Sequence, residues 1–344
     1  WQLTILVNNY VIGAGKLAEH GLALHLTRPD TPRPPATPRP PATPGPPATP
    51  GPSVGSGPPT SLLFDTGGSG TTLLHNAGAV GIDPTEVEGV ILSHGHYDHT
   101  GGLMALAQAR RASAGRTEPL PLYAHPAAFE TKLKLHPRRR EIGAPFSRDA
   151  LAAAGFDIHL SAEPVEVVPK LRTTGEVPRH HRLEEEAVAG FYAEREGTVV
   201  EDPIPDDLSL IVIHDNGEFS LICGCCHAGL LNTLDHASAL VPKLVEWSGE
   251  SGAAAPTPEP APALRSAGAA GAPGNAARVR AIIGGLHTTG ASDARLEHTI
   301  AGLRAYDPEW IAPIHCSGQR EAAVLHEAFG ERVRFLGVGD VVTL

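Results

Sequence analysis

An α/β sandwich, two β-sheets face to face with helices outside, is the fold class this sequence predicts. The expectation is one domain over residues 1–344, carrying two low-complexity insertions. Three observations predict it. Short apolar runs alternate with helical segments along the chain. Several of those runs end abruptly in Asp, His or Cys, which is where α/β folds gather ligands. And the composition, 41% hydrophobic and 19% charged over 344 residues, leaves a core-sized set of apolar residues after the insertions are subtracted.

Gln2–Val7 and Leu22–Leu26 read as strands, apolar and partly β-branched. Residues 31–60 form a Pro-rich insertion whose first part, Thr31–Pro52, repeats T-P-(R/G)-P-P-A. Proline at that density fixes φ and removes donors, so neither helix nor ladder is available. Ser61–Phe64 is a strand running into Asp65-Thr66-Gly67-Gly68, and Val90–Ser93 a strand running into a histidine cluster. Leu103–Ala112 is a helix, and Pro121–Ala124 a strand that meets His125. Leu208–Ile213 and Glu218–Cys223 flank Asn216-Gly217, which predicts a hairpin with both residues at positive φ in a type I′ turn. Residues 248–277, rich in Ala, Pro and Gly, read as a flexible loop. Arg278–Ile283 and Trp310–Ile314 are further strands, each followed by a histidine and a helical segment.

The formal net charge of −11 excludes a nucleic-acid binder, because phosphate-backbone recognition needs concentrated Lys and Arg. The basic run Arg138-Arg139-Arg140 reads as a solvated turn, with contact to an anionic substrate as the alternative. No run approaches the roughly 18 apolar residues of a membrane span. The opening residues lack a basic leader and long apolar run, so no secretory signal is expected. Cys223, Cys225 and Cys226 crowd too closely for a disulfide framework. A reducing cytoplasm follows, with the thiols either buried and inert or near a metal.

The chemistry concentrates in Ser93-His94-Gly95-His96-Tyr97-Asp98-His99-Thr100-Gly101-Gly102. Imidazoles suit Zn²⁺ or Fe, and a carboxylate completes a second ion's ligand set. In extended backbone His94 and His96 point to one side and can hold one ion together. Asp98 and His99 then turn toward a neighbouring ion. Thr100 is placed to cap the next helix, and the two glycines let that helix pack close.

This H-x-H-x-D-H pattern, with Asp65-Thr66-Gly67 upstream, resembles the metallo-β-lactamase superfamily. One branch is resembled more widely: in Glu19-His20-Gly21, Tyr123–Pro126, Thr174–Arg179, Asp202–Leu210, Cys223–Thr233, Ile282–His287 and Pro313–Gly318. That branch is the dihydropterin-methyl-(ribofuranosyl)aminobenzene phosphate synthases, named for a step in methanopterin assembly. The resemblance implies an αββα sandwich and two divalent ions, Zn²⁺ first, with Mn²⁺ or Fe as alternatives. It implies metal ligands at His94, His96, Asp98, His99, His227 and His315, with Asp98 also catalytic. Cys225, His287, His125 and Asp65 are possible ligands or ligand-orienting residues, Asp65 favouring the orienting role. Where other branches place a bridging Asp, this chain reads Gly224-Cys225, which leaves the bridge open among carboxylate, thiolate and water. Glu176, Arg179, Asp206, Asp207 and His20 would contact substrate, while Glu19 lines the pocket or serves as a cap.

Three functions follow as expectations. The first is a transferase in which the ions stabilise the diphosphate leaving from a pterin-methyl diphosphate while an aminobenzene ribotide attacks the methylene. The second is a hydrolase of an ester, lactone or phosphodiester, acting on an anionic small molecule at the same site. The third is a non-catalytic metal-binding scaffold that recruits partners through the Pro-rich repeat.

Overall fold

A computed structural model describes residues 1–28, 61–113, 118–247 and 277–344. Both predicted insertions, 31–60 and all but the last residue of 248–277, lie outside the described residues. No helix among the described residues is long and apolar enough to cross a membrane.

Two sheets carry the architecture. The first has seven strands in the order Val341–Thr343, Gln2–Val7, Ala23–Thr27, Ser61–Phe64, Gly89–Ile91, Leu120–Ala124, Phe156–Leu160. Its last four strands run parallel. The second has six, in the order Trp310–Ile314, Val279–Gly285, Phe219–Cys223, Ser209–Ile213, Leu171–Thr173, Glu166–Val168, with its first three parallel.

Alternation along each strand sorts the core into layers, as a period of two demands. Leu62 and Phe64 face the second sheet, whereas Leu63 between them faces the helices. On the second sheet Ile222, Ile283 and Ala312 point inward to meet them, while Leu221, Ile282 and Ile311 point outward. Helices Gly70–Ala79, Leu103–Ala112 and Arg148–Ala153 cover the first sheet, and Leu230–Trp247, Asp293–Tyr306 and Gln319–Phe329 lie on the side of the second. The result is the αββα sandwich.

Two local expectations are corrected. In the hairpin at His214–Gly217 only Gly217 has positive φ, 80°, and its N–H donates to His214 O. One αL residue after a tight turn makes a bulged hairpin rather than type I′. Thr100 does not cap the following helix: its hydroxyl donates to His96 O within its own turn. The two glycines do permit close packing, since a Cβ on Gly101 would sit 2.2 Å from Gly68 O and one on Gly102 2.2 Å from Thr66 O.

A third, antiparallel sheet had no signature in the sequence reading: Thr198–Glu201, Tyr192–Arg195, Thr131–Lys134, Arg140–Glu141. Arg140 therefore opens a strand instead of sitting in a turn. This small sheet is tied to the histidine loop, with Tyr97 N–H donating to Ile142 O at 2.9 Å.

Candidate metal centre

The parallel strands of both sheets end at one edge and deliver ligand-type side chains to one place. From the first sheet come Asp65, then the segment His94–His99, then His125. From the second come Cys225 and His227, then His287, then His315. Asp65, Cys226, His287 and His315 all hold positive φ, between 45° and 61°. Non-glycine residues rarely accept that region, and such strain collects at functional sites.

A buried neighbour fixes the tautomer of most ring nitrogens. The Asp65 carboxylate accepts from His99 Nδ1 at 2.7 Å, and also from Ser93 N and Ser93 Oγ, both at 2.7 Å. With its own proton donated to Asp65, the Ser93 oxygen accepts from His94 Nδ1 at 2.9 Å. His315 Nδ1 faces the Asn9 amide oxygen at 3.0 Å, and His227 Nδ1 faces Ala187 O at 3.3 Å. In each case the partner is an acceptor and holds a proton on Nδ1, and on the neutral rings of His94, His227 and His315 Nε2 is left as a lone pair. The Nε2 atoms of His96, His99, His227 and His315 are buried without a hydrogen-bond partner. His94 Nε2 lies 2.8 Å from His96 Nδ1, so the two rings do converge on one point.

Buried polar atoms normally find partners, so such a set of orphans requires explanation. Burial holds His94, His96, His227 and His315 well below the ordinary histidine pKa, as neutral imidazoles. Burial also opposes charge on His99, but Asp65 and Asp98 outweigh it and raise that pKa to about 9, so its Nε2 keeps a proton that a bound cation would displace.

Among the described residues, ligand-type atoms cluster in four overlapping groups, each within 4.8 Å: His94, Cys225, His227; His99, Cys225, His315; Cys225, His287, Cys316; and His20, Asp98, His315. Cys225 belongs to three of them. Its sulfur lies 3.1 Å from Cys316 Sγ and 3.6 Å from His287 Nδ1. All four cysteines are free and buried. Cys316 has no signature of its own in the sequence, although it adjoins His315; the fold brings it against Cys225.

The remaining candidates divide. His20 joins the cluster, its Nε2 3.2 Å from Asp98 Oδ2, with a side chain 59% exposed. His125 belongs to none of these clusters: its Nδ1 accepts from Ala127 N at 3.1 Å, capping a short turn, and its Nε2 is 4.0 Å from Glu176. Glu19 caps helix Gly70–Ala79 by accepting from Gly68 N, Ser69 N and Ser69 Oγ. Asp206 is buried, accepting from Gly95 N and from the Lys132 ammonium, each at 2.7 Å. Asp207 accepts from Ala228 N at 2.8 Å. Arg179 donates to the carbonyls of His227 and Pro203. Asp206, Asp207 and Arg179 thus brace the loops that present the histidines. Glu176, Arg179 and Asp207 also line a cavity of about 220 Å³ next to Ala228.

One residue with no signature in the sequence packs directly on the site. Phe191 stacks on His96, ring centroids 5.2 Å apart at 20°, and meets His227 edge-on at 5.2 Å. A lone aromatic without surrounding periodicity carried no signal.

The fold and this constellation define a metal-dependent enzyme of a known class. The chain belongs to the metallo-beta-lactamase superfamily, whose profile matches residues 57–237. At 25% identity it is similar to the 7,8-dihydropterin-6-methyl-4-(beta-D-ribofuranosyl)-aminobenzene-5'-phosphate synthase of Methanocaldococcus jannaschii, over 82% of this chain and 83% of that one. It is also similar at 25% identity to an uncharacterized protein of the same archaeon, over 80% of this chain and 88% of that one. A solved metal-dependent hydrolase of the beta-lactamase superfamily shares the fold with a TM-score of 0.65 and 20% identity, covering 100% of this chain and 98% of that chain.

Proposed function

We propose that the centre holds two divalent ions and acts as a transferase that joins a dihydropterin-methyl diphosphate to a ribofuranosylaminobenzene phosphate. The observation that carries the metal reading is the set of buried, unpartnered Nε2 atoms on rings whose Nδ1 protons are already committed to acceptors. Such a donor set fits Zn²⁺, and the same nitrogens and carboxylate accept Mn²⁺ or Fe. His94, His96 and His227 would hold one ion, and Asp98, His99 and His315 the other. Asp65 would orient His99 rather than bind, as a carboxylate behind a ligand histidine commonly does.

The ions would supply Lewis-acid stabilisation of negative charge developing on a leaving group. Asp98, with its carboxylate 3.2 Å from His20, 3.6 Å from His99 Nε2 and 3.5 Å from His315 Nε2, would orient the attacking group at the open side of the cluster. Similarity to the archaeal synthase over most of both chains supports the transfer reaction. Incubating metal-loaded chain with the two substrates should release pyrophosphate and form the condensed product; no product from fully metallated chain removes the transferase reading.

Hydrolysis of an ester, lactone or phosphodiester is the second reading, favoured by the full-length fold match to a hydrolase. Metal-dependent turnover on a panel of such substrates distinguishes it. The scaffold reading draws on residues outside those described, and deleting 31–52 would separate it from both, since catalysis would survive the deletion.

A further inference from the structure

The small antiparallel sheet places two cations beside the centre, and no other part of the site accounts for them. Lys134 and Arg140 are directly paired across strands Thr131–Lys134 and Arg140–Glu141. Like charges in opposed positions of a ladder repel. No carboxylate among the described residues lies within ion-pair distance of either, whereas neighbouring Arg139 and Arg195 are paired with Glu194 and Glu130. The Lys134 ammonium instead sits 3.2 Å over the ring of Phe191, the ring that stacks on His96.

The sheet is fixed to the histidine loop by the His96–Gly143 bridge and by Tyr97 N. Burial and Arg140 together pull the Lys134 pKa down from its ordinary value, a cost that a bound anion would relieve.

We infer that Lys134 and Arg140, carried by this sheet over Phe191, are the anion-recognition element of the site and receive a phosphate or diphosphate group of the substrate. Two facing cations beside a metal pair suit a multiply charged group better than a single carboxylate, and the Arg fork adds bidentate geometry for phosphate oxygens. The inference rests on the metal-centre reading for its position but not for its charges.

The test is calorimetric titration of the metal-loaded full chain with inorganic pyrophosphate and, separately, acetate. Wild type is compared with Lys134→Gln, Arg140→Gln and Lys134→Arg, and metal content is measured on every sample. Expected are pyrophosphate binding much tighter than acetate, and a loss of about tenfold or more in each Gln variant, the scale of one charged hydrogen bond. Metal content should not change, and Lys134→Arg should retain most of the affinity. Unchanged pyrophosphate affinity in both Gln variants, with metal retained, overturns the inference, because the ions alone would then hold the anion. Wild type that binds metal but no pyrophosphate also overturns it. A wild-type chain that takes up no metal instead overturns the metal-centre reading. Pyrophosphate binding that is still lost in the Gln variants of such a chain upholds the inference.

Discussion

The Asp65 carboxylate and the His99 imidazole, both fully buried and on the ends of different segments, meet at 2.7 Å. This contact commits His99 Nδ1 to Asp65 and leaves Nε2 as the atom that faces Asp98, at 3.6 Å. Asp65→Asn tests it cleanly, because Asn tolerates the positive φ of 61° at this position. The charge is lost while the backbone is kept. One ion should bind roughly 10–100-fold more weakly, the usual effect of losing such a partner, and the other should be little changed. Competition against a calibrated chelator reads both affinities.

Lys132 is buried between Asp202 at 3.0 Å and Asp206 at 2.7 Å, and Asp206 in turn holds the backbone of Gly95 between two histidines. Lys132→Met strands two buried carboxylates. Breaking a buried ion pair from one side costs about 3–5 kcal/mol, so chemical denaturation should show a loss of that order. A variant as stable as wild type would mean that the triad is not what anchors this loop.

Asp207 gives a pH dependence. Burial raises its pKa to about 6 from an ordinary 3.8, against the pull of its backbone donors. A carboxyl whose folded pKa is raised favours folding while protonated. Its contribution is full below the unfolded value and is lost as pH rises through about 6. Asp207→Asn can still accept from Ala228 N without carrying charge. Its melting temperature relative to wild type should therefore be higher at pH 8 than at pH 5 by comparison of the two proteins. A difference that does not grow with pH would show that the buried charge is compensated.

Cys225 stands in three of the four ligand-type groups, including one with each histidine set. Burial pushes its thiol pKa up, so ionisation there needs a cation. Replacing the ions with Co²⁺ should give a near-ultraviolet thiolate charge-transfer band that Cys225→Ser abolishes. A band that survives in Cys225→Ser and vanishes in Cys316→Ser would assign the thiolate to Cys316.

Much of this was legible in the chain. Strands such as Ser61–Phe64 and Trp310–Ile314 announce themselves because an apolar run stops at a polar ligand-type residue, and the structure gives them those same bounds. His94, His96, Asp98 and His99 were visible because their spacing is local. What was not legible depends on tertiary contacts. Cys316 is just a thiol until the second sheet sets it 3.1 Å from Cys225. Lys134 ends one short half-exposed strand and Phe191 immediately precedes another, and the alternation of both is broken by charge, so that sheet left no periodicity to detect. Asp206 and Arg179 matched motif phrases and read as substrate contacts; what the fold adds is that Asp206 accepts from Gly95 N and Lys132 while Arg179 donates to the His227 carbonyl. A motif marks a residue as used without saying on what.

The central claim is that these histidines hold a pair of ions. Elemental analysis of the full chain, purified without chelator, alongside His96→Ala, tests it most directly. The account predicts close to two equivalents of divalent metal, falling sharply in the variant. A wild-type chain with no metal, or a variant that retains as much as wild type, would contradict it.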